Sequence, residues 1–136
     1  TSLIDTRLLN DINNLRVQNG VSPLQSNGTL TNFAQIRSSE IAVLWSHTRP
    51  NGSLGCDMID RHLYRGENLA YVTFSVFSGS DADFSAAEQR MFYDLSMSPT
   101  HLDNMLYPNF TKVGIHSCVT PCGNRTKITM ACMFSS

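Results

Sequence analysis

Two periodicities of apolar residues alternate along the chain, and their order restricts the fold more than any other feature. In some segments the apolar residues recur every three to four positions, the spacing of an amphipathic helix. In others, Tyr, Val, Thr, Ile and Phe cluster in short runs between turn-forming residues, which is typical of strands. A chain of 136 residues that mixes both patterns has the length of one domain in which helices cover a small sheet.

The patterns predict three long helices, one short helix, a separate strand and a hairpin. The predicted helices run from Ser2 to a terminating Gly20, over Thr29–Trp45, from Asp81 or Asp83 to near Ser98, and onwards from Pro99; the strands cover 68–76, 112–119 and 127–134. The resulting order is α, α, β, α, α, β, β. A small sheet in this order needs helices over both faces, so we expect an α/β fold of the α+β type in a single domain over residues 1–136.

Charge and hydropathy exclude two kinds of interaction. The net charge is −1 and the basic residues are scattered, so no basic stripe is available to bind a nucleic acid backbone. No apolar run approaches the roughly 20 residues of a membrane span. No signal peptide precedes the first helical pattern, which leaves either an intracellular protein or the mature or trimmed form of a secreted one.

The four cysteines, Cys56, Cys118, Cys122 and Cys132, favour secretion. Their spacing lacks the paired C-x-x-C of a structural zinc site, so disulfides are the better interpretation, and the chain also contains four Asn-x-Ser/Thr sequons. Three pairings are possible. Because Cys118 and Cys122 flank the tip of the predicted hairpin, we expect a Cys118–Cys122 bridge, which leaves Cys56 to pair with Cys132.

Two histidines and a glutamate are the candidates for chemistry. His47 follows the second predicted helix, Glu67 lies at the start of the isolated strand, and His101 lies at the start of the short helix. Two imidazoles and a carboxylate at element ends can form a divalent metal site or an acid–base pair. The other two, His62 and His116, are expected to be solvated in a loop and packed or hydrogen-bonded on a strand.

Four motifs resemble the CAP family, which includes cysteine-rich secretory proteins, antigen 5 and pathogenesis-related 1 proteins. They are Trp45-Ser46-His47, Gly66-Glu67-Asn68-Leu69, the segment from Ser98 to Leu106, and the segment from Asn109 to Ile115. The Arg-Pro-Asn-Gly after His47 and the Ser-Pro-x-His at His101 are similar to the bacterial branch. The resemblance implies a three-layer α-β-α sandwich with a small, mainly antiparallel sheet and a central cleft.

The resemblance also implies a set of cleft residues. The family cleft typically carries two histidines and two acids; the histidines map onto His47 and His101, and one acid maps onto Glu67. In the family, the second acid lies three residues after a position that aligns with Leu95. Three residues after Leu95, this chain has Ser98. The nearby carboxylates Glu88 and Asp94 do not match.

Three functions follow from these residues, and the sequence does not decide whether the protein is an enzyme. The favoured one is a secreted or surface-associated binding module, whose cleft holds a lipid-like or other small apolar molecule or a surface or host protein, with zinc or another divalent metal at His47 and His101. The alternative is a metal-dependent, protease-like hydrolase with Glu67 as base. The third is an adhesion module with a vestigial cleft. Binding is favoured because the second acid is missing and the chain has no evident nucleophile.

Overall fold

The computed structural model describes residues 1–136 and confirms the predicted α+β sandwich. The elements are α1 (Ser2–Gln18), β1 (Gln25–Ser26), α2 (Gly28–Val43), a 3-10 helix (Gly55–Met58), β2 (Arg65–Phe74), α3 (Asp81–Ser96), α4 (Pro99–Leu106), β3 (Lys112–Cys122) and β4 (Arg125–Ser135). The short β1 and the 3-10 helix were not predicted, since two and four residues are too few to display a period. None of the helices has the length and apolar character required to cross a membrane.

The sheet has the strand order β1-β3-β4-β2. The two-residue β1 is parallel to β3, and the other two pairings are antiparallel. The hairpin is longer than predicted: β3 continues through Pro121 to Cys122, and the turn is formed by Gly123, at φ +65°, and Asn124.

Helices cover both faces of the sheet, with a core on each side. Along β4 the buried residues alternate: Met130, Cys132 and Phe134 belong to the core under α1, α3 and α4, whereas Ala131 and Met133 belong to the core under α2. A strand that is buried on both faces has a nearly continuous apolar sequence. This alternation makes β4 the centre of the three layers.

The helix α2 lies unusually close to the sheet at Gly114. A Cβ atom at this position would come well inside 3.0 Å of the Leu30 and Thr31 backbone, closer than real Cβ atoms approach other heavy atoms. The glycine therefore sets the separation between α2 and β3, and with it the position of the loop that carries His47.

The predicted disulfides are wrong, and all four cysteines are free thiols. Cys118 and Cys122 both lie in β3, where a separation of four residues places their Cα atoms about 13 Å apart, beyond the roughly 4.4–6.8 Å of a disulfide. Cys132 belongs to the core under α1 and α3, whereas Cys56 lines a cavity with Glu67 on the α2 side of the sheet. The sheet therefore separates the second pair.

Candidate functional site

The three predicted site residues lie together at one end of the sheet. His47 and His101 line one cavity of about 190 Å³, together with Trp45 and Leu69. His47 and Glu67 line a second cavity of about 160 Å³ beside the 3-10 helix. His47 thus separates two small cavities, and the fold brings the end of α2, the start of β2 and the start of α4 to one place.

Glu67 orients the His47 ring. The imidazole Nδ1 of His47 is 2.8 Å from Glu67 Oε1, and the Glu67 residue is only 7% exposed. Since an ionised carboxylate only accepts hydrogen bonds, Nδ1 carries the proton and donates it. This contact leaves the Nε2 atom of His47 without a hydrogen-bond partner, as in the carboxylate–histidine pairs that surround many metal sites.

The fully buried Arg37 holds the Glu67 carboxylate. Its Nε donates to Glu67 Oε2 at 2.7 Å and its Nη2 to Glu67 Oε1 at 3.3 Å. The guanidinium also donates to the Ser46 carbonyl oxygen at 2.6 Å and to Glu40 Oε1 at 2.8 Å, and Glu40 in turn binds Arg49. One buried cation therefore fixes both Glu67 and the loop that carries His47.

Sequence reasoning missed Arg37, although its position contained a signal. Arg37 follows Leu30 and Ala34 and precedes Ile41 on the same helix face, at the three- and four-residue spacing of a buried stripe. An arginine in such a stripe needs buried acceptors, because a charge is rarely buried without a partner. The stripe therefore indicates a buried arginine, and the structure identifies Glu67 as the buried acid that pairs with it.

Gly55 allows the 3-10 helix to cover this ion pair. A Cβ atom at Gly55 would come within 3.0 Å of the Glu67 carboxylate and of Arg37 Nε. Any larger side chain would displace one of the two charged groups. The 3-10 helix, which the sequence did not reveal, thus closes the site from the side opposite to the sheet.

His101 is held by different groups. Its Nδ1 is 2.8 Å from Ser98 Oγ, and its carbonyl oxygen accepts from Asn68 Nδ2 at 3.0 Å, while Asn104 donates to Asn68 Oδ1 at 2.9 Å. Burial, and secondly the charge of His47, lower the pKa of His101 below its ordinary value. Adjacent residues of β2 therefore contact the two histidines. Glu67 binds the His47 ring on one face of the sheet, and Asn68 binds the His101 carbonyl oxygen on the other.

The serine at the position of the second acid contacts the site. Ser98 is the N-cap residue of α4, yet its side chain makes no capping hydrogen bond and lies against the His101 ring instead. Asp94 pairs with Arg90 on the surface of α3, and Glu88 faces α1. Neither of these carboxylates replaces the missing acid.

Glu88, on α3, is a buried carboxyl group that interacts with the half-buried Asp11 of α1. Glu88 is 2% exposed, and its Oε2 has no hydrogen-bond partner. Burial, and secondly a hydrogen bond with Asp11, raise the pKa of Glu88 to about 8. The group is therefore mostly neutral at pH 7.

We expect the wild type to lose stability at alkaline pH and the Glu88→Gln variant to avoid this loss. A raised pKa means that the contribution of Glu88 is fully present below its unfolded value of 4.5 and is lost as the pH rises through about 8. Between about pH 5 and pH 9 the wild type should lose on the order of 4 kcal/mol relative to the glutamine variant. Urea denaturation at a series of pH values measures this, and parallel curves for the two proteins would contradict it.

The imidazoles of His47 and His101 share one cavity, and no group of three or more His, Cys, Asp or Glu side chains is arranged to hold a metal ion. The remaining histidines lie elsewhere. His62 is exposed in a loop. His116 lies on β3, and its Nδ1 is 3.0 Å from Oγ of Ser38 on α2.

Comparisons with known proteins agree with this fold. The family model described as cysteine-rich secretory protein family, CAP, matches residues 9–134. An outer surface protein of Borrelia burgdorferi has a TM-score of 0.72 and 18% identity, over 96% of this chain and 90% of that one. No curated protein sequence matches the chain.

Two further solved structures cover different shares of their proteins. An extracellular protein containing an SCP domain from Bacillus anthracis has a TM-score of 0.62 and 20% identity, over 93% of this chain and 39% of that one. Manganese-bound Ac-ASP-7, an Ancylostoma-secreted protein, has a TM-score of 0.61 and 17% identity, over 97% of this chain and 69% of that one. Identities this low establish a common fold only.

Proposed function

Because the chain belongs to the cysteine-rich secretory protein (CAP) family, whose model covers nearly its whole length, we propose that it is a binding module that holds a divalent cation between His47 and His101. One observation carries the proposal: both histidines line one cavity, and each has its Nδ1 engaged, His47 with Glu67 and His101 with Ser98. The Nε2 atoms of His47 and His101 are therefore left to bind a ligand.

The donor set fits a borderline metal ion such as zinc. Imidazole nitrogen is a good zinc ligand in its neutral form, and burial lowers the pKa of His101, which favours that form. With two protein ligands the other coordination positions are left for water or for an oxygen of a partner, so binding is expected to be weak. A bound cation would supply a Lewis acid at the floor of the cavity.

Two of the compared proteins support parts of the proposal. One solved structure of the Ancylostoma-secreted protein is manganese-bound, which supports a divalent cation as the ligand. The Borrelia protein is an outer surface protein and the Bacillus protein is extracellular, so we propose that this chain also acts outside the cell or at its surface. The free cysteines give this localisation no independent support.

The hydrolase alternative is less well supported by the geometry. A general base needs a carboxylate oxygen within reach of the attacking water. In Glu67, Oε2 accepts from Arg37 Nε, and Oε1 accepts from both Arg37 Nη2 and His47. Both carboxylate oxygens are therefore engaged, and Glu67 orients His47 with no oxygen left free to accept a proton from water.

We expect Zn²⁺ to bind to the untagged protein weakly, and to bind more weakly still after His101→Ala or His47→Ala. Protonation of the imidazoles competes with the cation, so affinity should fall by at least about tenfold from pH 7.5 to about pH 5. Isothermal titration calorimetry at both pH values measures this, with His62→Ala as the control because that histidine is exposed and lines neither cavity. Equal affinity at the two pH values, or loss of binding in the control, would overturn the proposal.

A further inference from the structure

The outer edge of β2 has backbone groups without partners. β2 is the last strand of the sheet and pairs only with β4. None of the main-chain hydrogen bonds outside regular elements involves Tyr71–Phe74. In an antiparallel pair every second residue directs its N–H and C=O away from the neighbouring strand, so this stretch presents unpaired donors and acceptors along the edge.

This edge lacks the usual protection against pairing. Natural edge strands are commonly blunted by charged residues, prolines or bulges. The segment Leu69–Phe74 contains no charged residue and no proline, and its register with β4 is regular from Arg65 to Phe74. Tyr71 and Thr73 are exposed, whereas Leu69 and Ala70 are buried, so the open stretch begins at Tyr71.

An aromatic pair and a cation flank the open stretch. Trp45 and Tyr71 are 48% and 47% exposed and pack edge to face, with ring centroids 4.8 Å apart. The Lys127 ammonium lies 4.9 Å from the Tyr71 ring centroid and forms no ion pair with any carboxylate. Since Trp45 also lines the cavity of His47 and His101, the edge, the aromatic pair and the cavity form one continuous surface.

We propose that the outer edge of β2 binds an extended peptide segment of a partner protein, which adds as a further strand at Tyr71–Phe74. Regularly spaced N–H and C=O groups are the complement that a polypeptide strand supplies. Aromatic side chains at the edge fit an apolar side chain of the segment, and the unpaired Lys127 fits an acidic one on the same face. The site goes beyond the proposed cation site and does not require a metal.

Charge complementarity selects this occupant over a second copy of the chain. Two copies pairing through β2 would bring the uncharged segment Leu69–Phe74 to Lys127. The nearest acid of the strand, Glu67, is buried and bound to Arg37. A self-association through this edge would therefore leave the ammonium without a carboxylate.

The probe is a random peptide library of about 12 residues displayed on phage and selected on the wild-type protein. Selected peptides should combine an apolar residue with Asp or Glu at a strand spacing. When a synthetic selected peptide binds, alternate amide protons of Tyr71–Phe74 should exchange at least about tenfold more slowly, because they become hydrogen-bonded. N-methylation of one alternate set of peptide amides should abolish binding, and methylation of the other set should leave it nearly unchanged.

Variants of the protein locate the site. Tyr71→Ala and Lys127→Glu should each weaken binding of the synthetic peptide by about tenfold. The matched control is Tyr93→Ala, which removes a similarly exposed tyrosine, 56% accessible, from α3 and should have no effect. Binding should persist in excess chelator, so that failure of the cation proposal and failure of this one are distinguishable.

Four results would overturn the peptide site. The first is that no peptide is selected. The second is that the selected peptides bind Tyr71→Ala as well as wild type, and the third is that they leave the β2 amides unprotected. The fourth is a dimer in light scattering that Thr73→Lys dissociates, because it would assign the edge to a second copy of the chain.

Discussion

Replacing Arg37 with alanine is expected to lower the free energy of unfolding by about 3–5 kcal/mol, the cost of breaking a buried ion pair from one side. The variant leaves the Glu67 carboxylate with a single ring N–H donor, that of His47, in a position that is 7% exposed. It also removes the donor to the Ser46 carbonyl oxygen. Urea denaturation at pH 7 measures the change.

Two further variants separate the charge effect from the loss of packing. In Arg37→Ala/Glu67→Gln the uncompensated charge is absent, so the double variant should recover a substantial part of the lost stability. Arg90→Ala removes an exposed arginine that pairs with Asp94 and should cost less than about 1 kcal/mol. A loss of similar size for Arg37→Ala and Arg90→Ala would refute the role assigned to the buried cation.

Arg37→Ala should also weaken cation binding at the site. Without Arg37, Glu67 and the loop after α2 lose their common anchor, and His47 loses its fixed orientation. Cation affinity at His47 and His101 should therefore fall in Arg37→Ala even at temperatures where the protein remains folded. Such long-range dependence follows from one guanidinium that binds Glu67, Ser46 and Glu40 together.

The sequence predicted the buried face of a helix well where apolar residues recur at helical spacing. Leu30, Ala34 and Ile41 mark the buried face of α2 by spacing alone, and the structure places them under the sheet. Arg37 lies on the same face and was overlooked, because arginine is normally exposed. Which charged residues are buried depends on partners from distant segments, and spacing within one helix does not identify those partners.

The errors at the hairpin have a similar origin. The strands predicted over 112–119 and 127–134 leave Pro121 in the turn between them, whereas the structure pairs it with Thr126 inside the ladder. Proline is tolerated there because β1 pairs with β3 only at Lys112 and Val113, so β3 has a free edge at Pro121. Moving the turn to Gly123 placed Cys118 and Cys122 on one strand, which is why the disulfide prediction failed along with the strand boundary.

Gly114→Ala is the second substitution expected to have a large effect. Its Cβ would overlap the backbone of α2 at Leu30 and Thr31, and backbone atoms in a packed helix cannot rotate away as the end of a side chain can. We expect a loss of about 3 kcal/mol in unfolding free energy, at the upper end of the cost of overpacking. Thermal and urea denaturation give the value.

Gly28→Ala is the matched control, since it introduces the same methyl group at the first residue of α2. Gly28 has no positive φ, and no atom lies within 4 Å of its hypothetical Cβ. Alanine there restricts the unfolded chain and suits a helix, so a change of less than about 1 kcal/mol, in the stabilising direction, is expected. If the two variants proved equally stable, α2 would have to be free to move away from β3. The loop at His47 would then move with it, and the arrangement of His47 with Glu67 would not be fixed by the packing of α2 on the sheet.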